Sequence, residues 1–375
     1  MTRLLWRRWE GRNPTGIDRV CLAYLDHFRS DAQAVIQHRR VRRIFDRQAS
    51  RELFDVLAHP PENFRQQMIR KVVQFVVASR CEGEGRLYLN LGHTGLNDEG
   101  FRLWVRRAGV RPVYFVHDLI PITHPEFCRA GEGHKHRERM RTVLGSAVGV
   151  IGNSQATLDD LAKFARSEQF PFPSAIAALL GSDALPRPEA KSSAAQTPTF
   201  IILGTIEARK NHLMLLHVWS RVIQRLGASA PRLLVIGQRG WECEQVFDLL
   251  DRRDILKGAV TEIGRCDDNM LAEHLANARA LLFPSLVEGF GLPLVEALRS
   301  GTPVIASDLP VFREIGGDIP DYLDPLDAPG WERAIIAYSN EGSRERAEQI
   351  RRMSGYQAPT WADHFTAVDS WLTTL

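Results

Sequence analysis

The chain is poor in the features that hold small exported domains together or fix a protein in a bilayer. Its five cysteines, Cys21, Cys81, Cys128, Cys243 and Cys266, are odd in number, scattered and never arranged as C-x-x-C. They imply neither a disulfide framework nor a zinc site, and they fit a reducing cytoplasm. No apolar run approaches the ~20 residues needed to cross a bilayer, and the opening MTRLLWRRWE breaks its apolar stretch with arginines too early for a signal peptide. Metal-binding patterns are missing too. Asp267-Asp268 has neither D-x-D spacing nor a histidine cluster beside it, and it falls at an expected helix start, where acids cap. No metal and no cofactor are therefore expected. Nor is a nucleic-acid partner, because no recognisable motif is present and the basic residues lack interleaved aromatic platforms.

What is present is enough chain for two cores: 375 residues, 44% of them hydrophobic. Charge is unevenly spread. Residues 1–80 hold 16 Lys and Arg against 8 Asp and Glu, in a chain whose net charge is only +3. Two stretches mix basic and apolar residues, Arg39-Arg40-Val41-Arg42-Arg43 and FRQQMIRKVVQFVVA over 64–78. They suit the anionic inner face of a cell membrane, and the second equally suits an amphipathic core helix with an arginine-rich outer side.

The clearest break is PRPEAKSSAAQTP, residues 186–198, read as an interdomain linker. It separates an N-terminal domain, 1–185, from a C-terminal domain, 199–355, with 356–375 as a terminal helix. Beyond the linker the apolar runs FIILG, RLLVIG, VTEIG, ALLFP and PVIAS alternate with the helical patterns HLMLLHVWSRVIQRL, EQVFDLLDR and NMLAEHLANA. Before it, RLYLNLG, PVYFVHD, AVGVIGNS and AIAALLG are the strand candidates. Strands alternating with helices imply α/β domains with parallel sheets, whose ligands sit beyond the strand C-termini.

The densest chemistry lies at 280–298, ALLFPSLVEGFGLPLVEAL. It reads as a strand, a loop broken by Gly289 and Gly291, and a helix with Pro293 in its first turn. Free backbone amides at such a helix start, together with its dipole, hold a diphosphate. Glu288 at the loop entrance and Glu296, expected in the first helical turn, flank that position and suit the hydroxyls of a nucleotide sugar. A second loop, FIILGTIEARKNH over 200–212, leaves its strand at Gly204 and Thr205 and carries Arg209 and Lys210. Preorganised cations there would stabilise charge growing on a leaving diphosphate.

The strand, Pro-Ser, Glu-Gly-Phe-Gly, Pro and Glu-Ala sequence resembles the paired-glutamate motif of retaining glycosyltransferases of the GT-B fold, in particular glycosyltransferase family 4. The resemblance implies two facing Rossmann-like domains with a deep cleft, and a terminal helix that crosses back to the first domain. It makes Glu288 the group at the donor sugar or an oxocarbenium-like centre, with Glu296 on the ribose and Gly289, Phe290, Gly291 and Leu292 around the phosphates. Arg209 and Lys210 carry over as diphosphate ligands. Many relatives place an arginine directly after the strand glycine, where this chain has Thr205. In PVYFVHDLIPITHPEF, 112–127, His117 matches the histidine that lines the donor-sugar pocket, with Asp118 supporting its loop. RNPTGIDRV, 12–20, resembles the first-domain glycine loop, with Gly16 giving clearance and Arg19 charge, or is a plain capped turn. Arg239 in RLLVIGQRGWE is expected near the nucleotide, and the backbone around Ile263 and Arg265 near its base.

The function so implied is retaining, metal-independent transfer of a hexose from a nucleotide diphosphate sugar to a glycan or polyprenyl-linked oligosaccharide in surface polysaccharide synthesis. The GTIEARKN and HDLIP segments favour mannose from GDP-mannose. A nucleotide-sugar epimerase on the same fold and an inactive nucleotide-sugar-binding subunit are the alternatives. The expected location is cytoplasmic, with peripheral contact at the inner membrane face.

Overall fold

Short apolar runs set between amphipathic helices fold here as parallel strands buried on both faces, the arrangement that near-continuous Val, Ile, Leu and Phe runs favour. The computed structural model describes residues 1–11, 15–38, 41–77, 83–186 and 197–375. Arg39, Arg40, Cys81, residues 12–14 and most of the 186–198 linker lie outside the described residues. Two compact units are present, Met1–Ile122 with Ala130–Leu180 and Trp361–Leu375, and Thr123–Arg129 with Gly181–Thr360. Relative to the boundaries read from the sequence, residues 123–129 and 181–185 of the first half belong to the second unit.

The first unit holds an antiparallel pair, β1 (Val35–His38) and β2 (Val41–Ile44). Its parallel four-stranded sheet runs β3-β4-β5-β6, from Leu87–Asn90, Arg111–Val116, Gly149–Gly152 and Ser174–Ala177. The AIAALLG strand ends earlier than expected, because the chain leaves the sheet at Ala178, whose N–H donates to Gly152 O, and enters the second unit at Gly181. Phe101, Tyr114, Val116, Met140 and Val143 centre this core. The helix Trp361–Leu372 packs in it. His364 donates from Nδ1 to Leu179 O and accepts the Tyr24 hydroxyl at Nε2, both at 2.9 Å. Phe365 stacks on His27 at 3.9 Å.

Part of each basic stretch is turned inward, while Val41, Arg65, Ile69 and Arg70 are exposed. Arg42 is 3% exposed at its side chain, pairs with Asp98 at 2.6 Å and lies over the Phe101 ring. It is therefore not on offer to a membrane surface. In the helix Phe64–Val77, Phe64 and Met68 are buried, Lys71 pairs with Glu52 and Ile69 is exposed.

The second unit is a six-stranded parallel sheet of β7 (Thr199–Leu203), β8 (Arg232–Ile236), β9 (Val260–Ile263), β10 (Ala280–Phe283), β11 (Val304–Ser307) and β12 (Asp321–Leu323). The order β9-β8-β7-β10-β11-β12 is the doubly wound order 3-2-1-4-5-6. Phe200, Ile202, Trp219, Leu233 and Trp331 lie in its core. In this topology the chain turns from one side of the sheet to the other between β7 and β10, and the loops leaving these two strands face a common crevice.

Candidate active site

The loops after β7 and β10 carry the charged groups singled out in the sequence, and the fold brings them together. Leu286 N–H donates to Arg209 O at 2.8 Å and ties the loops. Arg209 Nη1 reaches Glu288 Oε2 at 2.7 Å, and Lys210 Nζ reaches Glu288 Oε1 at 2.5 Å. Ser285 Oγ donates to the same Oε1 at 2.8 Å, and Glu207 holds Arg209 Nε from behind at 3.0 Å. Lys210 also lies 4.9 Å from the centre of the Phe283 ring. Its stem packs over Gly204, leaving about 3.4 Å to a Cβ built there.

Electrostatics keeps this cluster ionised. Burial alone would raise the Glu288 pKa, but Arg209 and Lys210 outweigh it and hold the carboxyl at about 2. Burial draws the Lys210 ammonium below its ordinary value, against the opposing pull of Glu288. Glu288 is thus a fixed anion whose three donors fill three of roughly four acceptor positions on a carboxylate.

Two glycines shape the crevice. Gly237, directly after β8, has φ +155, and a Cβ there would sit 2.0 Å from Gly204 O, so the backbones beyond β7 and β8 touch. Gly291 has φ +115 and caps the helix Leu292–Arg299, which puts Pro293 in its first turn. Because that helix starts at Leu292, Glu296 is its fifth residue. It sits in the second turn rather than the first, and is 7% exposed. Gly289 belongs to the same loop, and Phe290 beside it is buried.

The other groups singled out in this unit lie at or after the ends of β7, β8 and β9. Arg239 is gripped by Asp251 and Glu262 at 2.6 and 2.7 Å and lies over Phe247. A nucleotide would compete with two carboxylates for it. The Ile263 carbonyl already accepts Gly237 N–H at 2.9 Å, while Arg265 is exposed and Thr205 half-buried. Asp267 caps the helix Asp268–Asn277 by accepting Met270 N–H at 2.8 Å.

In the first unit His117 is 6% exposed, donates from Nε2 to Leu91 O at 2.6 Å and is pushed down to about 4, chiefly by burial. Asp118 supports the turn by accepting Ile120 N–H at 3.1 Å. His93, half-buried, and His136, buried, neither singled out in the sequence, complete a trio of rings. Their rings lie 5.6 Å from His117 to His93 and 5.5 Å from His93 to His136. The readable signal was His93 soon after a strand end. Gly16 opens the helix Gly16–Phe28 and Arg19 is exposed on it. The group that organises this turn is Asp18, which accepts Thr15 N–H and Oγ–H at 2.8 and 2.7 Å and pairs with Arg3 and Arg7.

Comparison with known proteins bears on the fold and on the second unit's sequence. Residues 197–341 match the family model described as glycosyl transferases group 1. The serotype-specific mannosyltransferase WbdA of Escherichia coli is 28% identical over 272 residues, 68% of this chain. The chain spans only about a third of that relative, 33% of its length. The O-antigen chain mannosyltransferase B of Escherichia coli is 28% identical over 265 residues, 67% of each chain. Among solved structures, Anabaena HepE in complex with UDP-glucose superimposes with a TM-score of 0.68 at 16% identity, covering 97% of both chains. Sucrose-phosphate synthase of Thermosynechococcus elongatus gives 0.58 at 18%, covering 92% of this chain and 86% of its own. Matched in fold over both units, the chain has the GT-B fold, and its second unit is similar in sequence to the glycosyl transferases group 1 family.

Proposed function

We propose that the chain transfers a hexose, mannose first, from a nucleotide diphosphate sugar to a glycan or polyprenyl-linked oligosaccharide acceptor during surface polysaccharide synthesis. The observation that carries this is the buried Glu288 carboxylate, held by Arg209, Lys210 and Ser285 where the β7 and β10 loops meet. The carboxylate has room for one further donor, which suits a sugar hydroxyl. A diphosphate arriving beside it would draw on the same two cations. In the transfer the anomeric carbon–oxygen bond to the diphosphate breaks and a bond to the acceptor oxygen forms. The acceptor proton goes to a leaving phosphate oxygen, with retention of configuration and without a metal. The names of the mannosyltransferase relatives support the sugar and the pathway, and the UDP-glucose bound to the HepE structure supports a nucleotide sugar as donor. His117, Asp118, Gly16 and Arg19 are retained as donor- or acceptor-side groups on the family resemblance.

The test is transfer from radiolabelled GDP-mannose by the purified chain, with UDP-glucose as the competing donor and EDTA in a parallel reaction. Acceptor-dependent, EDTA-resistant product with an α-linked anomeric signal supports the reading. Sugar isomerised without acceptor, or no turnover despite tight nucleotide binding, would replace it with an epimerase or an inactive binding subunit.

A further inference from the structure

Beyond the ends of β3 and β4 the sheet ladder gives way to side chains. The two strands pair in register as far as Asn90 and Tyr114. From there His93, on the loop after β3, donates from Nε2 to Phe115 O at 2.8 Å, and His117, on the loop after β4, donates from Nε2 to Leu91 O at 2.6 Å. Each histidine therefore bonds the carbonyl that stands two residues before the other, and the two bonds run in opposite directions. Asn153, directly after β5, is 3% exposed and donates from Nδ2 to His117 O at 2.8 Å. His136, on the helix Glu132–Leu144, donates from Nε2 to Asp118 O at 3.1 Å. Side chains from three other elements thus hold the carbonyls of Phe115, His117 and Asp118. His93 does so from a left-handed backbone, φ +55, a conformation that persists in a side-chain-bearing residue where its contacts fix it.

A ring nitrogen that faces a carbonyl oxygen carries the proton. Burial keeps His117 neutral, its pKa pushed down to about 4, so with the proton on Nε2 the lone pair lies on Nδ1. An acceptor fixed in this way binds a ligand hydroxyl and discriminates against a ligand without one. We propose that His93 is a positioning residue for donor recognition: its bond to Phe115 O locks the loop that carries Leu91 O, Leu91 O keeps the His117 proton on Nε2, and His117 Nδ1 is left to accept a hydroxyl of the donor sugar. This rests on His117 being a donor-side group of a hexosyltransferase, as proposed above; His93 itself touches no substrate and acts through His117.

Two substitutions separate the hydrogen bond from the backbone. Asn tolerates the positive φ of position 93 but is too short to reach Phe115 O, whereas the amide nitrogen of Gln falls close to the place of His Nε2. His93→Asn is expected to raise KM for GDP-mannose about 10-fold, with kcat changed less than about 3-fold and the affinity for GDP unchanged. His93→Gln is expected to restore KM. Adding His93→Asn to His117→Ala is expected to cost nothing beyond His117→Ala alone. If UDP-glucose binds in place of GDP-mannose, it and UDP take over these roles. An unchanged KM in His93→Asn, equal losses for nucleotide sugar and diphosphate, no rescue by Gln, or additive costs in the double variant overturns the proposal. The unaltered chain supplies a reading that no misfolded variant can spoil. With ¹⁵N-labelled histidine near pH 7, and His117 assigned by its loss in His117→Ala, its ring is expected as the neutral Nε2–H tautomer, with an Nδ1 resonance that moves on adding the nucleotide sugar and not the diphosphate. An Nδ1–H tautomer, or a resonance indifferent to the sugar, also overturns the proposal. A chain that binds neither nucleotide sugar removes the proposed function and this role of His93 together, whereas transfer that proceeds without these His93 effects removes the role alone.

Discussion

At the scale of single residues, Glu288 and Asp18 both carry their charge in buried positions with cationic partners. Replacing Glu288 with Gln keeps the shape but removes the negative charge that Arg209 and Lys210 share. Transfer is expected to fall ~10²-fold or more, measured as kcat with saturating donor. Asp18→Asn is expected to cost about 1–3 kcal/mol in urea unfolding, since two guanidinium groups lose their shared partner, with kcat affected far less. The same groups set the acid response. Glu288 is depressed to about 2, and the buried His117 and His212 to about 4 and about 3. Each binds protons more readily unfolded than folded. Stability is therefore expected to be full above about pH 6.5, to fall as the histidines of the unfolded chain protonate, and to fall further below about 4.5 as its carboxylates do. Urea midpoints at pH 7, 5.5 and 4 check this, and a midpoint that rises towards acid would contradict it.

At the scale of elements, the close approach beyond β7 and β8 depends on Gly237. Gly237→Ala places a methyl group 2.0 Å from Gly204 O at a φ of +155. A loss of at least about 2–3 kcal/mol is expected, together with weakened nucleotide binding, because Gly204 carries the loop that presents Arg209 and Lys210. Chemical denaturation and calorimetric titration measure the two effects. The same elements show what the sequence made legible. EQVFDLLDR and HLMLLHVWSRVIQRL are helices over the very residues read, because each is amphipathic and bounded by breakers or polar loops. β12 went unread because three residues, Asp321–Leu323, give no periodicity. β1 and β2 went unread because VIQH and VRRI are too polar for a central strand, and Arg42 looked like surface charge until Asp98 supplied its partner 56 residues away. In the site, Arg209, Lys210 and Glu288 were visible as loop residues after strands. Ser285 and Glu207 acquire a role only when loops nearly 80 residues apart meet.

At the scale of the whole molecule, nucleotide binding is a stability measurement. GDP at ~100 times its dissociation constant is expected to add about 2.7 kcal/mol if GDP is the product nucleotide, and UDP at the same concentration much less. The reverse order in a thermal-shift series would move the donor to a UDP-sugar. Basic excess in residues 1–80 is partly consumed internally by Asp18, Asp98 and Glu52. Binding to anionic vesicles is accordingly expected to be weak and lost by about 0.3 M salt, as read by co-sedimentation.

The connectivity of the first unit bears on how the protein is made. Tyr24, His27 and the Leu179 carbonyl find their partners in His364 and Phe365, and Gly149 has no side chain where Trp371 lies. During vectorial synthesis these positions emerge from the ribosome long before residues 361–375 do. The second unit, save Thr123–Arg129, is contiguous and can close first. The half of the chain translated earlier therefore waits, with an apolar face uncovered, for the half translated later. Nascent chains stalled before residue 361 should engage a holdase chaperone, and those carried past 375 should release it.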